Sequence, residues 1–142
     1  MKVSAKTEYG CRALLELALH WPNPEPMQIN TIAQKHKIPL KFLVHIMIQL
    51  KQMGYVQSSR GQKGGYILKK PPKEIVLSEV LSHFGEINDL SKNLMKKSQK
   101  QDVLQSVWQE TGIALFNSLN NIDFDELVRR ERSLGNVAMY TI

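Results

Sequence analysis

The stretch Ser58-Ser59-Arg60-Gly61-Gln62-Lys63-Gly64-Gly65-Tyr66 constrains this chain more than any other. It joins two β-prone runs, Tyr55-Val56-Gln57-Ser58 and Gly65-Tyr66-Ile67-Leu68. Such runs around a glycine-rich turn predict a hairpin, and Arg60 and Lys63 make its tip basic. Pro71-Pro72 closes the unit.

Two helices are expected just before it. Pro39 sits where proline is favoured, at the first position of a helix. That helix runs to about Met53, with Leu43, Ile46, Met47, Leu50 and Met53 inward and Gly54 as its left-handed stop. Its outer face carries Lys41, His45, Gln49 and Gln52. A shorter helix over 28–36, with Ile29, Ile32 and Ala33 inward, precedes it across the turn His36-Lys37-Ile38. Upstream, Ser4 is a candidate cap for a helix over 4–20. Leu14, Leu17, Ala18 and Trp21 form one apolar stripe there, and Pro22-Asn23-Pro24-Glu25-Pro26 ends it.

Downstream, Leu77, Val80, Leu81 and Phe84 mark a short helix over 77–84. Residues 85–101, with Lys92, Lys96, Lys97 and Lys100, are expected as a loop or frayed helix. A long amphipathic helix over 102–119 shows the stripe Leu104, Val107, Trp108, Thr111, Leu115 and Leu119. Asn120-Asn121 breaks it. Asp123 and Glu126 have capping-box spacing, opening a last helix to about Ser133.

The charge is divided between the halves. Residues 1–75 hold 12 Lys/Arg against 4 Asp/Glu, and residues 76–142 hold 7 against 9. A basic half beside a slightly acidic one suggests a polyanion-binding unit over 1–75 joined to a second module over 76–142. A basic surface without a partner is the plainer alternative. Apolar residues make up 42% of the chain, enough for a packed core. No apolar run reaches the roughly 20 residues of a membrane span, and residues 1–6 do not read as a signal peptide. With a single cysteine, Cys11, a reducing cytoplasm is expected.

Helix, turn, helix and basic hairpin, in that order, predict a winged helix-turn-helix: a mainly α chain with a small β-hairpin wing. A helix fits the DNA major groove, where base pairs differ in their donor and acceptor patterns. A glycine-rich tip brings backbone and basic side chains close to phosphates. Lys41, His45, Gln49 and Gln52 are groove-competent groups, although an ordinary wet helix face would look similar.

The pattern Ile32-Ala33, Leu43 to Leu50, Gly54-Tyr55-Val56, then Arg60-Gly61-x-x-Gly64-Gly65-Tyr66-x-Leu68-x-x-Pro71-Pro72 resembles the Rrf2 family of winged-helix regulators. Lys6-Thr7-Glu8-Tyr9-Gly10 and Arg12-Ala13-Leu14 match the family's first helix. Asn120-Asn121-Ile122-x-Phe124-x-Glu126-Leu127 resembles the end of its dimerisation helix. The resemblance covers about residues 1–130. It implies a sequence-specific DNA-binding regulator acting as a homodimer, a repressor in sulfur, iron–sulfur or redox metabolism. The implied DNA contacts are Gln28, Pro39, Lys41, His45, Gln49, Arg60, Gln62, Lys63 and Tyr66, with Arg60 entering the minor groove or holding phosphate. Where relatives often carry small hydroxylated residues, this chain has Pro39 and Lys41, and His45 stands where Gln is common, so its operator should differ. The stripe from Leu104 to Leu119 would pair with its mate; packing on its own first half is the alternative.

Several family members hold an iron–sulfur cluster through three cysteines between wing and long helix. Residues 86–107 contain none, so a cluster held in that way is excluded. In some members an acidic residue at the position of Glu8 is a ligand, and Glu8 and Cys11 are neighbours on one helix. A sensor using Cys11, carboxylates or histidines is therefore the alternative. The reading adopted is that Cys11 packs as a small apolar residue and no cofactor is bound. The tail Ala138-Met139-Tyr140-Thr141-Ile142 resembles that of a cysteine-metabolism repressor of the family, one controlled by complex formation with O-acetylserine thiol-lyase. Tyr140, Thr141 and Ile142 are thus expected to dock on that enzyme, a terminal carboxylate being readily captured by a backbone nest. A frayed end is the plainer alternative.

An enzyme is not expected. His20, His36, His45 and His83 lack metal-ligand spacing, Cys11 has no evident base, and Gly61-Gln62-Lys63-Gly64-Gly65 lacks the Lys-Ser/Thr of a P-loop. The stronger rival is a winged helix that binds protein rather than DNA.

Overall fold

The computed structural model describes residues 2–86 and 102–140, with 136–140 as backbone only. Helix α1 (Ala5–His20) begins at Ser4, whose hydroxyl accepts from the Thr7 N–H at 3.3 Å. It ends at Trp21, which is extended and 36% exposed. The expected stripe therefore holds for Leu14, Leu17 and Ala18, all buried, but not for Trp21, which lies past the helix end.

Helix α2 (Ile29–His36) closes on Lys37 in the left-handed region at φ 53°. The Ile38 N–H then reaches back to the Ala33 carbonyl at 2.9 Å. Pro39 caps helix α3 (Leu40–Gln52) instead of forming its first turn. At the other end Gly54 takes φ +85°, and the Tyr55 N–H donates to the Leu50 carbonyl at 3.1 Å, a left-handed stop as expected.

Strands β1 (Val56–Ser59) and β2 (Gly65–Leu68) pair antiparallel, Val56 opposite Leu68 and Ser59 opposite Gly65. Met27 adds a bridge to Tyr66, with N–H···O distances of 2.8 and 2.9 Å. The chain crosses so closely here that a Cβ on Gly65 would lie 2.1 Å from the Met27 carbonyl oxygen. Gly64 is equally confined, 2.4 Å from the Ser59 carbonyl oxygen.

After a 3-10 turn (Pro72–Glu74), helix α4 (Leu77–His83) leads to Glu86. The Glu86 carboxylate accepts from the Ser4 N–H (2.9 Å) and the Thr7 hydroxyl (2.7 Å), so this segment is fastened to the start of α1. These bonds hold its carboxyl below the ordinary carboxylate range. The expected loop or frayed helix over 85–101 lies almost wholly outside the described residues. Helix α5 (Val103–Asn120) starts at Asp102, which accepts from the Gln105 N–H at 2.9 Å. It packs on α4, where the Ser78 hydroxyl donates to Asn120 at 3.0 Å.

Helix α6 (Phe124–Tyr140) runs seven residues beyond the Ser133 expected as its end. Half of the predicted capping box forms: Asp123 accepts from the Glu126 N–H at 2.8 Å. The Glu126 carboxylate turns instead to Arg129 and Arg130. Gly135, two residues past Ser133, stays inside the helix instead of ending it.

The core does not stop at residue 75. Leu14, Ile32, Leu43, Met47, Leu50, Tyr55 and Val56 pack in one cluster with Ile75, Val80, Phe124 and Val128. Phe124 is fully buried, and its N–H donates to the Ile75 carbonyl at 3.0 Å. Helix α6 lies against α1 and the 3-10 turn, so the last helix helps build the unit that carries the wing.

Candidate nucleic-acid interface

Three exposed features converge around the hairpin. The first is the outer face of α3. Leu43, Ile46, Met47 and Leu50 point into the core, which turns Lys41, Val44, His45, Ile48 and Gln52 outward. Pro39 and Lys41 are exposed at its start, and His45 is exposed one turn on. Gln49 sits at the margin. It is half-buried, lines a pocket with Ala5, Lys6, Tyr9, Phe42, His45 and Ile46, and its amide oxygen is buried without a hydrogen-bond partner. It thus borders α1 instead of heading the outer face.

The second feature is the wing tip. Arg60, Gln62 and Lys63 are exposed, while Tyr66 is half-buried and packs on the core. The third is the start of α2. The Gln28 side-chain amide donates to the Gln62 carbonyl at 3.3 Å, so the helix start and wing tip hold each other. Between them lies a groove of ≈ 500 Å³ lined by Gln28, Asn30, Ser59, Arg60, Gln62 and Gly64, among others. The Lys51 ammonium donates to the Ser58 hydroxyl at 2.9 Å, tying the end of α3 to β1. Three elements are thereby locked as one basic surface.

The sequence reading missed Val44, Ile48 and Lys51. A signal for the first two was available: 41, 44, 48 and 52 share one row at helical spacing.

On α5, Leu104 (61%), Val107 (42%) and Trp108 (48%) are exposed, as is Thr111, whereas Leu115 and Leu119 are half-buried. The front of the stripe therefore does not pack on its own first half, and Val103, Ile113 and Phe116 add further exposed apolar surface. Tyr140 ends α6 with its side chain not described, and Thr141 and Ile142 lie outside the described residues.

Residues for an iron group fit poorly. Burial pushes the Cys11 thiol up to about 12, with the nearby Glu8 and Glu86 carboxylates adding to the effect. A thiol ligates as thiolate, so this environment opposes ligation. Glu8 is paired with Arg12 at 2.9 Å. Among the described residues no three His, Cys, Asp or Glu side chains gather as a metal site. Among them, too, no helix is long and apolar enough to cross a membrane.

The family model for Rrf2, described as an iron-dependent transcriptional regulator, matches residues 3–130. The chain belongs to the Rrf2 family of transcriptional regulators. This Rrf2-family protein is 33% identical to the HTH-type transcriptional regulator IscR of Pectobacterium atrosepticum, over 97% of this chain and 85% of that one. Among solved structures it is similar to CymR, the global cysteine regulator of B. subtilis. There the TM-score is 0.80 and the identity 23%, covering 92% of this chain and 98% of that chain. It also matches IscR of T. potens at a TM-score of 0.73 and 27% identity, over 92% and 88% of the two chains. The winged helix-turn-helix expected from the residue pattern is thus the observed fold.

Proposed function

We propose that this Rrf2-family protein binds duplex DNA as a homodimer and represses genes of sulfur, iron–sulfur or redox metabolism in the cytoplasm. Lys41 and His45 enter the major groove on α3. Arg60, Gln62 and Lys63 meet the backbone or the minor groove, Gln28 contacts phosphate, and Pro39, Gln49 and Tyr66 support these contacts from the edges of the surface. The observation that carries this reading is the mutual fastening of α2, α3 and the wing, through Gln28–Gln62 and Lys51–Ser58, with basic side chains left exposed. Affinity for duplex DNA should fall steeply with salt, because each neutralised phosphate releases counterions. A salt-independent affinity would favour the protein-binding reading of the winged helix.

The exposed front of α5 supports the homodimer, with Leu104, Val107, Trp108 and Thr111 central to the contact and Leu115 and Leu119 at its margin. An apolar stripe of this kind marks an interaction surface. No bound cluster is part of this proposal, because residues 86–107 hold no cysteine and the Glu8 carboxylate is paired with Arg12. Anaerobic purification tests this: a brown protein absorbing above roughly 400 nm, as expected of thiolate-bound iron–sulfur centres, would overturn it.

Docking on O-acetylserine thiol-lyase is the finer partner proposal, supported by the apolar sequence of 138–142. Deleting Thr141 and Ile142 should abolish capture by the lyase, and unchanged capture refutes it.

A further inference from the structure

Helix α3 turns outward a face that is only partly polar. Val44 is 40% exposed and Ile48 is 45% exposed. They lie four apart, one above the other on the helix surface. Lys41 and Gln52 continue the same row, and His45 stands beside it, also exposed. Neither apolar side chain belongs to the buried core cluster, whereas Leu43, Ile46, Met47 and Leu50 all belong to it. Helix formation does not ask for β-branched residues at exposed positions, since they lose side-chain freedom there.

The occupant of this face is set by its surroundings. Lys41 and Lys51 are on the same helix, and the wing fastened to it carries Arg60 and Lys63. The first 75 residues hold three basic groups for each acidic one. A polyanion fits this setting better than the apolar face of another protein. In the major groove the one apolar group on a base edge is the C5-methyl of thymine.

We infer that Val44 and Ile48 are specificity-determining residues that read thymine methyl groups, giving this protein a preference for A·T pairs at the centre of each half-site. The inference rests on the DNA-binding reading and deepens it. Burying one methyl group is worth about fourfold in affinity, the equivalent of about 0.8 kcal/mol.

The test uses duplexes enriched by the full chain from a random-sequence library. Thymines in the enriched site are replaced one at a time by uracil, which removes the methyl and keeps the pairing. At one or two positions per half-site the affinity should fall about fourfold. In the Ile48→Ala or Val44→Ala chain the same replacement should have no further effect. Both side chains are exposed, so the alanine variants should keep the wild-type circular dichroism and unfolding midpoint. If no uracil replacement matters while binding stays salt-dependent, the methyl inference is refuted and the DNA reading stands. If no duplex is enriched and no salt-dependent binding is measured, both are refuted.

Discussion

At the scale of single residues, the wing depends on an approach between distant parts of the chain. Gly65 has the Met27 carbonyl oxygen 2.1 Å from where a Cβ would stand. Gly65→Ala must push the Met27 backbone away from Tyr66. We expect a loss of about 2–3 kcal/mol, as for other forced insertions into packed sites, read as a lower urea midpoint. Glu16 is the other residue of this kind. Its carboxylate is buried between α1 and α2, 2.7 Å from the Lys35 ammonium and 2.9 Å from the His36 ring. Burial alone would raise its pKa, but the hydrogen bonds and charges of Lys35 and His36 outweigh this and hold it below the ordinary value. A carboxyl depressed by folding adds stability above its unfolded pKa, and loses it as pH falls through the folded one. Glu16→Gln should cost about 2 kcal/mol at pH 7, and the cost should shrink as unfolding is measured at progressively more acid pH below the ordinary carboxylate range. The paired glycines at 64–65 announced a tight turn, but Met27 as the neighbour was not readable, because it lies 38 positions before Gly65. Glu16 was hidden for the same reason: its partners lie 19 and 20 positions away.

At the scale of elements, punctuation decided what could be read. Pro39 and Gly54 bracket α3, and the structure places the helix between them. Gly135 follows Ser133 but does not act as a stop, and α6 runs on to Tyr140. The outer face of α3 was half legible. Polar residues there drew attention, while Val44 and Ile48 did not stand out in a helix rich in apolar residues. The wing makes its own prediction. Arg60→Ala and Lys63→Ala should each weaken binding to every duplex tested and lower the slope of log affinity against log salt by about 1. Fluorescence anisotropy across a salt series measures this, and an unchanged slope would remove these residues from the phosphate contacts.

At the scale of the whole molecule, the two halves differ in how they are stabilised. The front of α5 leaves Leu104, Val107 and Trp108 exposed. Trp108→Glu should convert the proposed dimer to monomer in light scattering, with the helical signal unchanged, since the ring has no part in the core. A persistent dimer would place the interface elsewhere. Phe124 behaves in the opposite way. It is fully buried among residues of the first half, so Phe124→Ala should cost about 3–5 kcal/mol. This dependence was not legible from the charge pattern, which divided the chain near residue 75 because charge reports on surface and not on which helix fills a core.

That buried phenylalanine has a genetic consequence. A DNA-reading unit cut after residue 75 would leave behind three side chains that complete it, Val80, Phe124 and Val128. It could not be transplanted as a cassette onto a foreign sensor unless the donor fragment brought α4 and the start of α6 along.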